Sequence, residues 1–356
     1  MRRGEAVARS DGQPIWIATN HGAIGGGEVM LLRIAEALQE LDRDVTIVAP
    51  SHPPTLAEAA RELGLDVEVL DSHDRVTWMF ALRRWRRRHP DGLLWCNGIV
   101  PSTATAGLRR RIVHLHQYPT GLNRLFARLA RTHALAMPVP SYDMARAIPG
   151  SCVLPNWTVR FSPSTRQRAD GEPFVVGFLG RLGADKGVHV LAEAMGELER
   201  RYPGQFRLRL AGESRFVDRR SAALVNDALD AVEELTDRVG WAEPQHLLDT
   251  VDVLAVPSLA PEPFGLVAAE AMVARVPVVV TDAGGLPEVV GEGHGLVVKA
   301  GDVGALADQL AALAFGDVDA DLDAQAERWE TEFSPDAGRE RLARLLERVE
   351  QTVPVR

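Results

Sequence analysis

The stretch PIWIATNHGAIGGGEVMLLRIAEALQELDRDVTIVAP (residues 14–50) decides the class of fold. It opens with the short apolar run PIWIATN, passes through a glycine loop into a segment with helically spaced apolar residues, and ends in the strand-like DVTIVAP. This order predicts a strand, a helix and a second strand. Similar segments alternate along the rest of the chain, which is typical of a parallel sheet covered by helices on both faces.

The chain has 356 residues and 46% apolar content, which is more than one compact core of ordinary size accommodates. An irregular stretch at 153–173 separates two series of alternating segments. We therefore expect two doubly wound, Rossmann-like α/β domains facing a central cleft, because such sheets bind ligands at the carboxyl ends of their strands. The predicted domains are 1–160 and 161–334, and a terminal helix at 335–356 is expected to cross back to the first domain.

Composition narrows the class of protein. No apolar run has the length of a membrane-spanning helix, and residues 1–14 contain no signal-like hydrophobic stretch, so the expected compartment is the cytoplasm. The net charge is −9, yet the first 163 residues hold 20 arginines and only 15 acidic residues. An anionic ligand of the first half and an Arg-rich solvated face both explain this excess. Nucleic acid is not expected as a partner.

The segment WMFALRRWRRRHP (78–90) places Trp78, Leu82 and Trp85 at helical spacing among five arginines. This pattern can dock peripherally on an anionic membrane. It is also the pattern of a helix that packs on a sheet with an Arg-rich outer face, and we favour this structural interpretation. A membrane contact of the basic residues 83–88 remains the alternative.

Three glycines, Gly25, Gly26 and Gly27, follow the first predicted strand and open a helix. Backbone amides at such a position can approach a phosphate or a substrate oxygen closely. A tight turn without a ligand explains them equally well. The dinucleotide-binding pattern G-x-G-x-x-G cannot be drawn through residues 22–30, which argues against a nicotinamide-dependent dehydrogenase.

The segment GFLGRLGADKG (177–187) places Arg181 and Lys186 after a predicted strand, on a glycine-containing turn. Two cations at a strand end suit a diphosphate leaving group. The alternative is that Arg181 pairs with Asp185 or with a neighbouring helix while Lys186 is solvated. Lys186 and Lys299 are the only lysines in the sequence, which favours a specific use of the ammonium group.

The segment EPFGLVAAE (262–270) carries Glu262 and Glu270 in a long apolar stretch. Burying an unpaired carboxylate costs several kcal/mol, so each needs a partner in the protein or in a ligand. Glu262 precedes a helix that begins near Gly265, and the spacing suits two parts of one extended ligand. Local helix-terminal amides are the alternative partners.

Taken in order, GGGE, GFLGRLGADKG, LRLAGE, DVLAVPS, EPFGLVAAEAM and TDAGGLPEVV resemble the retaining glycosyltransferases of the GT-B fold, family 4, with its E-x7-E element. The resemblance is strongest over residues 174–300. It implies that the first domain serves the acceptor and the second binds a UDP- or GDP-linked sugar. It also implies transfer with retention to a hydroxyl acceptor, which is a lipid, a glycan or a small molecule.

The resemblance further implies a role for individual residues. Arg181 and Lys186 would bind the donor diphosphate, Glu262 the sugar and Glu270 the ribose, and His116 would lie beside the reacting sugar. The remaining donor-binding positions are Gly26, Gly27, Val239, Gly240, Phe264, Gly265 and Leu266.

No Asp-x-Asp metal element stands out among these motifs, so neither a metal nor a cofactor is expected. A nucleotide-sugar epimerase, a phosphorylase of similar fold and a non-catalytic nucleotide-sugar binding protein remain alternatives.

Overall fold

The computed structural model describes residues 13–72, 74–214 and 217–352. The segment at 1–12, on which most of the expectation about a signal peptide rests, lies outside them. The described part of the chain divides into two units. Unit 1 runs to Asn156 and resumes at Asp336, and unit 2 is Trp157–Pro335.

Unit 1 is built on a parallel sheet of six strands: β1 (Ile15–Ala18), β2 (Val45–Pro50), β3 (Asp66–Leu70), β4 (Leu93–Asn97), β5 (Arg111–His114) and β6 (Ala134–Ala136). Their order in the sheet is β3-β2-β1-β4-β5-β6, with every pair parallel. All five residues of β4 (LLWCN) are buried, as expected of a strand covered on both faces. A short second sheet pairs β7 (Pro138–Val139) with β8 (Cys152–Val153).

The helices of unit 1 connect these strands. They are α1 (Gly26–Glu40), α2 (Thr55–Glu62), α3 (Arg75–Arg88), α4 (Ile99–Ala104), α5 (Asn123–Ala130) and α6 (Tyr142–Ala147). The chain runs from β1 through β2 to β3 in one direction along the sheet and from β3 through β4 and β5 to β6 in the other. Because such crossovers are right-handed, α1 and α2 lie on one face and α3, α4 and α5 on the other. The helix α4 contacts both α3 and α5.

Unit 2 repeats the design with β9 (Phe174–Leu179), β10 (Phe206–Ala211), β11 (Thr236–Gly240), β12 (Val253–Val256), β13 (Val278–Thr281) and β14 (Val297–Val298). The order is β11-β10-β9-β12-β13-β14, again parallel. Its helices are α7 (Val188–Arg201), α8 (Arg219–Asp230), α9 (Pro244–Leu248), α10 (Leu266–Val273), α11 (Leu286–Val290), α12 (Val303–Phe315) and α13 (Leu322–Glu332). The prediction of two doubly wound α/β domains is confirmed.

The last helix, α14 (Pro335–Thr352), packs on unit 1 although it follows unit 2 in the sequence. It buries four apolar residues at helical spacing, Leu342, Leu345, Leu346 and Val349. Salt bridges join its arginine and glutamate side chains to α1 and to the turn after α1, through the pairs Arg339–Glu40 and Glu350–Arg43. Unit 1 is therefore assembled from two separate parts of the sequence.

The tryptophan stripe of α3 lies in the core of unit 1. Trp78, Leu82 and Trp85 are all buried against strands and helices of that unit, as the favoured structural interpretation predicts. This stripe therefore cannot form a membrane contact. Of the arginines at 83–88, Arg83 donates to the carbonyl oxygens of Ala104 and Ala106, and only Arg84, Arg87 and Arg88 are exposed.

Two arginines of unit 1 are buried and hold helix and strand ends together. Arg86 donates to the carbonyl oxygens of His89 and Gly92, and burial lowers its pKa to about 10. Arg111, at the start of β5, donates to the carbonyl oxygens of Ser102, Ala130 and Thr132, which connects the C-terminal ends of α4 and α5. Part of the arginine excess of the first half is thus structural and does not contribute a surface charge.

Candidate functional site

In each sheet the strand order reverses at one place, between β1 and β4 in unit 1 and between β9 and β12 in unit 2. Loops that leave the carboxyl ends of two such strands turn away in opposite directions and open a crevice, the usual ligand site of this architecture. In unit 2, the loops after β9 and β12 contain Arg181, Lys186 and Glu262. In unit 1, the loop after β1 leads to Gly26 and Gly27 at the start of α1, and Asn97 ends β4.

A glycine fixes the loop after β9, because the backbone at this residue closely approaches another part of the chain. Gly187 has φ +70°, and a Cβ there would lie 1.8 Å from the carbonyl oxygen of Pro257. The loop therefore lies directly on the chain that leaves β12, at a separation only glycine permits. Gly187 also caps α7, so the same contact fixes where that helix begins.

Lys186 and Glu262 form a salt bridge across this point, although 76 residues separate them in the sequence. The hydroxyl of Ser258 donates to the same carboxylate oxygen, Glu262 Oε1, at 2.7 Å. Ser258 is itself held by Thr281, whose hydroxyl donates to the Ser258 carbonyl oxygen at 2.7 Å. Glu262 is nearly buried. The ammonium of Lys186 and the hydroxyl of Ser258 offset the free-energy cost of burying its charge.

Arg181 pairs with Asp185 on the same loop, which is the alternative that the sequence left open for this residue. Both side chains are partly exposed. The guanidinium and the ammonium thus each have a carboxylate partner, and both cations lie on the segment 180–187 between β9 and α7.

The backbone of Glu262 is held by the glycine pair of TDAGGLPE. The amide of Gly285 donates to the Glu262 carbonyl oxygen at 2.8 Å, and Glu262 and Gly284 form an isolated β-bridge. Gly284 has φ +64°, and a Cβ there would lie 2.5 Å from the Glu262 carbonyl oxygen. In the sequence this motif contributes only to the family resemblance, whereas in the structure it positions Glu262.

The helix α10 begins immediately after this loop. Gly265 caps it with φ +106°, so the amides of Leu266 and its neighbours head the helix without partners inside it. The side chain of Phe264 packs in the core against Phe333, so only its backbone is available to a ligand. Glu270 is buried within α10.

The predicted base-binding positions lie at the end of β11. Val239 is exposed, and Gly240 has φ +70°. Trp241 follows them with its indole largely exposed. The amide of Gly212 donates to the Gly240 carbonyl oxygen at 2.7 Å, which ties this segment to the end of β10.

In unit 1 the glycine loop touches His116. Gly26 and Gly27 are the first residues of α1, so their amides have no partners within the helix. A Cβ added at Gly27 would lie 3.6 Å from His116 Cδ2, which places the imidazole ring against the glycine backbone. His116 lies beyond the end of β5, and its ring centroid is 3.9 Å from that of His114.

Asn97, which sequence reasoning missed, orients His116. Its amide nitrogen donates to the Gly27 carbonyl oxygen at 3.2 Å, so its Oδ1 faces His116 Nε2 at 2.6 Å as an acceptor. Nε2 of the neutral ring therefore carries the hydrogen. Nδ1 is buried and has no hydrogen-bond partner within residues 13–72, 74–214 and 217–352. The ring therefore has a fixed tautomer, in which the buried Nδ1 is the acceptor nitrogen.

Burial keeps both histidines neutral near pH 7. It lowers the pKa of His116 to about 4, and it lowers that of His114 well below its ordinary value, with His116 adding to the effect. The nearby Glu28 carboxyl, nearly buried in α1, accepts from the Thr19 hydroxyl, and burial raises its pKa. The site in unit 1 thus contains groups that resist ionisation.

We predict a pH-dependent loss of stability from His116. Because its pKa is lower in the folded than in the unfolded chain, the unfolded chain binds more protons between about pH 6.5 and 4, so stability falls as the pH falls through this range. From pH 7 to 5 the expected loss is about 2 kcal/mol. Urea unfolding at both pH values measures it. His116→Gln should lack this contribution, and an equal pH dependence in that variant would refute the assignment.

Residues 173–314 match the family model described as Glycosyl transferases group 1. D-inositol 3-phosphate glycosyltransferase of Corynebacterium urealyticum is 35% identical over 196 residues, which cover 50% of this chain and 42% of that protein. Mannosylfructose-phosphate synthase of Agrobacterium fabrum is 34% identical over 165 residues, covering 44% and 34%. The chain thus spans less than half the length of these curated relatives.

Solved structures resemble the chain over nearly its whole length. Anabaena Alr3699/HepE in complex with UDP-glucose matches with a TM-score of 0.78 and 21% identity, covering 94% of this chain and 100% of that chain. Sucrose-phosphate synthase from Thermosynechococcus elongatus matches with a TM-score of 0.68 and 21% identity, covering 95% and 97%. The fold is GT-B, with two Rossmann-like domains, as predicted.

Proposed function

We propose that the protein is a glycosyltransferase that moves a sugar, with retention and without a metal ion, from a nucleotide-diphosphate sugar to a hydroxyl acceptor. The observation that carries the proposal is the contact of Lys186 and Ser258 with Glu262 at the switch point of unit 2. This group lies within the segment that matches the glycosyltransferase model. It joins a cation suited to phosphate with a carboxylate suited to sugar hydroxyls.

In unit 2 we assign the donor diphosphate to Arg181, Lys186 and the amides that head α10. Glu262 binds the sugar, Glu270 the ribose, and the backbone near Val239 and Gly240 the base. Phe264, Gly265 and Leu266 contribute backbone groups rather than side chains, which agrees with the burial of the Phe264 ring. For unit 1 we propose that Gly26, Gly27 and His116 bind sugar hydroxyls.

The proposed reaction breaks the bond between the anomeric carbon and the diphosphate oxygen and forms one between that carbon and the acceptor oxygen. The acceptor proton passes to the departing phosphate, so no separate base is required. Charge grows on the diphosphate as the bond breaks, and preorganised cations and helix amides stabilise it in this state more than in the ground state. Lys186 and Arg181 supply that stabilisation.

Incubation of the purified protein with UDP- and GDP-sugars and a panel of acceptors tests the proposal. The panel includes inositol phosphate and a hexose phosphate. The reason is that one relative is named D-inositol 3-phosphate glycosyltransferase and another mannosylfructose-phosphate synthase. The expected result is release of nucleoside diphosphate that depends on acceptor and persists in chelator. Proton NMR of the product should show the anomeric configuration of the donor.

Other products would assign a different activity. A free epimer of the donor sugar would indicate an epimerase, and a sugar phosphate would indicate a phosphorylase. Tight donor binding without turnover across the panel would indicate a binding protein. Each of these results overturns the proposed transfer.

Glu262→Gln separates the charge of Glu262 from its shape. We expect donor affinity to change less than about threefold and turnover to fall about thirtyfold, because the amide keeps hydrogen bonds but cannot stabilise positive charge developing at the sugar. Calorimetric titration with the donor and initial rates at saturation measure the two effects. Glu292→Gln, an exposed residue of the same unit, is the matched control. Unchanged turnover in Glu262→Gln would limit Glu262 to a steric role.

A further inference from the structure

The outer surface of α5 carries an exposed leucine stripe. Leu122, the N-cap of α5, and Leu125 and Leu129 within the helix are 75%, 52% and 48% exposed and follow one another at helical spacing. Ala127 and Ala130, on the opposite side of the helix, are buried against unit 1. Single exposed leucines are ordinary, but three on one line of a short helix form a continuous apolar surface.

Arginines run beside this stripe. Arg124 and Arg128 lie four residues apart and are both exposed. Residues 92–142 contain six arginines and no aspartate or glutamate. The next carboxylate in the sequence, Asp143, already accepts from the hydroxyl of Tyr118 and pairs with Arg146. The α5 surface is therefore apolar and positively charged, without acidic residues of its own.

A second exposed apolar group lies in the same helical layer. On α3, which like α5 packs against α4, Phe80 is 70% exposed and Val76 is also exposed. Arg84 and Arg87 are exposed on the same helix. The layer on this face of the sheet thus combines exposed apolar side chains with exposed arginines at two of its three helices.

We propose that α5 docks on the surface of an anionic lipid bilayer. Leucines that enter the acyl boundary and arginines that meet lipid phosphates are the two contributions such binding requires. A second copy of the chain is a poorer occupant, because two surfaces bearing only positive charge repel each other. Nucleic acid would leave the leucine stripe without a partner, since bases are usually held by aromatic or arginine stacking.

No helix in residues 13–72, 74–214 and 217–352 is long and apolar enough to cross a membrane. The docking proposed here is a contact of the outer helix surface with the headgroup region and the acyl boundary below it. It does not depend on the proposed enzymatic activity, so either proposal can fail without the other.

Vesicle flotation tests the docking. We expect the wild-type protein to float with phosphatidylcholine vesicles containing about 30% phosphatidylglycerol, at least about tenfold more than with phosphatidylcholine alone. Raising the salt from about 0.1 M to about 0.5 M should remove most of the arginine contribution. Leu125→Ser with Leu129→Ser, and separately Arg124→Gln with Arg128→Gln, should each lower the bound fraction about tenfold.

A matched control lies on α8 of unit 2, where Leu224 is exposed beside the exposed Arg219 and Arg220. Leu224→Ser with Arg219→Gln and Arg220→Gln should float like the wild type, and thermal melting should show that all variants fold. Equal binding to neutral and anionic vesicles, or equal loss in the control, would overturn the proposal. A dimer in sedimentation velocity that the leucine variant abolishes would assign the surface to a second copy instead.

Discussion

Lys186→Ala is expected to lower turnover at least about a hundredfold while unit 2 stays folded. The ammonium of Lys186 contacts Glu262 at the switch point, where a departing diphosphate would need a compensating charge. Glu262 keeps the Ser258 hydroxyl as a partner in the variant, so the loop retains one of its fixed contacts. Initial rates at saturating donor measure the effect, and circular dichroism checks the fold.

Lys299→Ala is the matched control, because Lys299 is the only other lysine and is exposed. It should keep wild-type turnover. Lys186→Arg should not restore activity, because a planar guanidinium cannot replace a compact ammonium between Glu262 and a phosphate. Turnover near the wild-type level in Lys186→Ala would exclude the Lys186–Glu262 contact from the reaction.

Gly187→Ala should destabilise unit 2 and abolish activity together. The added Cβ would lie 1.8 Å from the Pro257 carbonyl oxygen, so the loop carrying Lys186 must move away from the end of β12. The residue also has φ +70°, which costs a non-glycine residue about 1 to 2 kcal/mol. With the displacement included, we expect the free energy of unfolding, measured in urea, to fall by about 4 kcal/mol. Turnover should fall at least about a hundredfold.

Gly204→Ala separates the cost of a positive φ from the cost of a steric clash with the backbone. Gly204 has φ +73°, yet no atom lies within 4 Å of its added Cβ. This variant should lose only the conformational part, about 1 kcal/mol, and keep its activity. If Gly187→Ala and Gly204→Ala lose the same stability and activity, the close approach to Pro257 has no functional role.

Most of the fold could be predicted from local sequence. Strands β4, β12 and β13 are short, fully buried and mostly apolar runs, and α7 (Val188–Arg201) buries apolar residues at helical spacing. Such patterns reflect local burial, which the sequence shows directly. The α3 stripe was ambiguous for the same reason, because a core helix and a membrane-bound helix share one apolar spacing.

The candidate site could be predicted only in part, because its contacts are not local. The pairing of Lys186 with Glu262 depends on two loops meeting across 76 residues. Asn97 ends a strand, where asparagine commonly serves a turn, and nothing in the sequence shows that its amide meets Gly27 and His116. Arg111 follows two other arginines and suggests a basic surface, yet backbone carbonyl groups surround it in the core.

The position of α14 has a consequence for biosynthesis. Unit 2 is continuous in sequence, whereas unit 1 needs the buried face of α14, which leaves the ribosome only after all of unit 2. Domains generally fold as units during translation, with the N-terminal one first. Here the nascent chain contains all of unit 2 before unit 1 is complete, because unit 1 gains the buried side chains Leu342, Leu345 and Leu346 only after unit 2 has been synthesised.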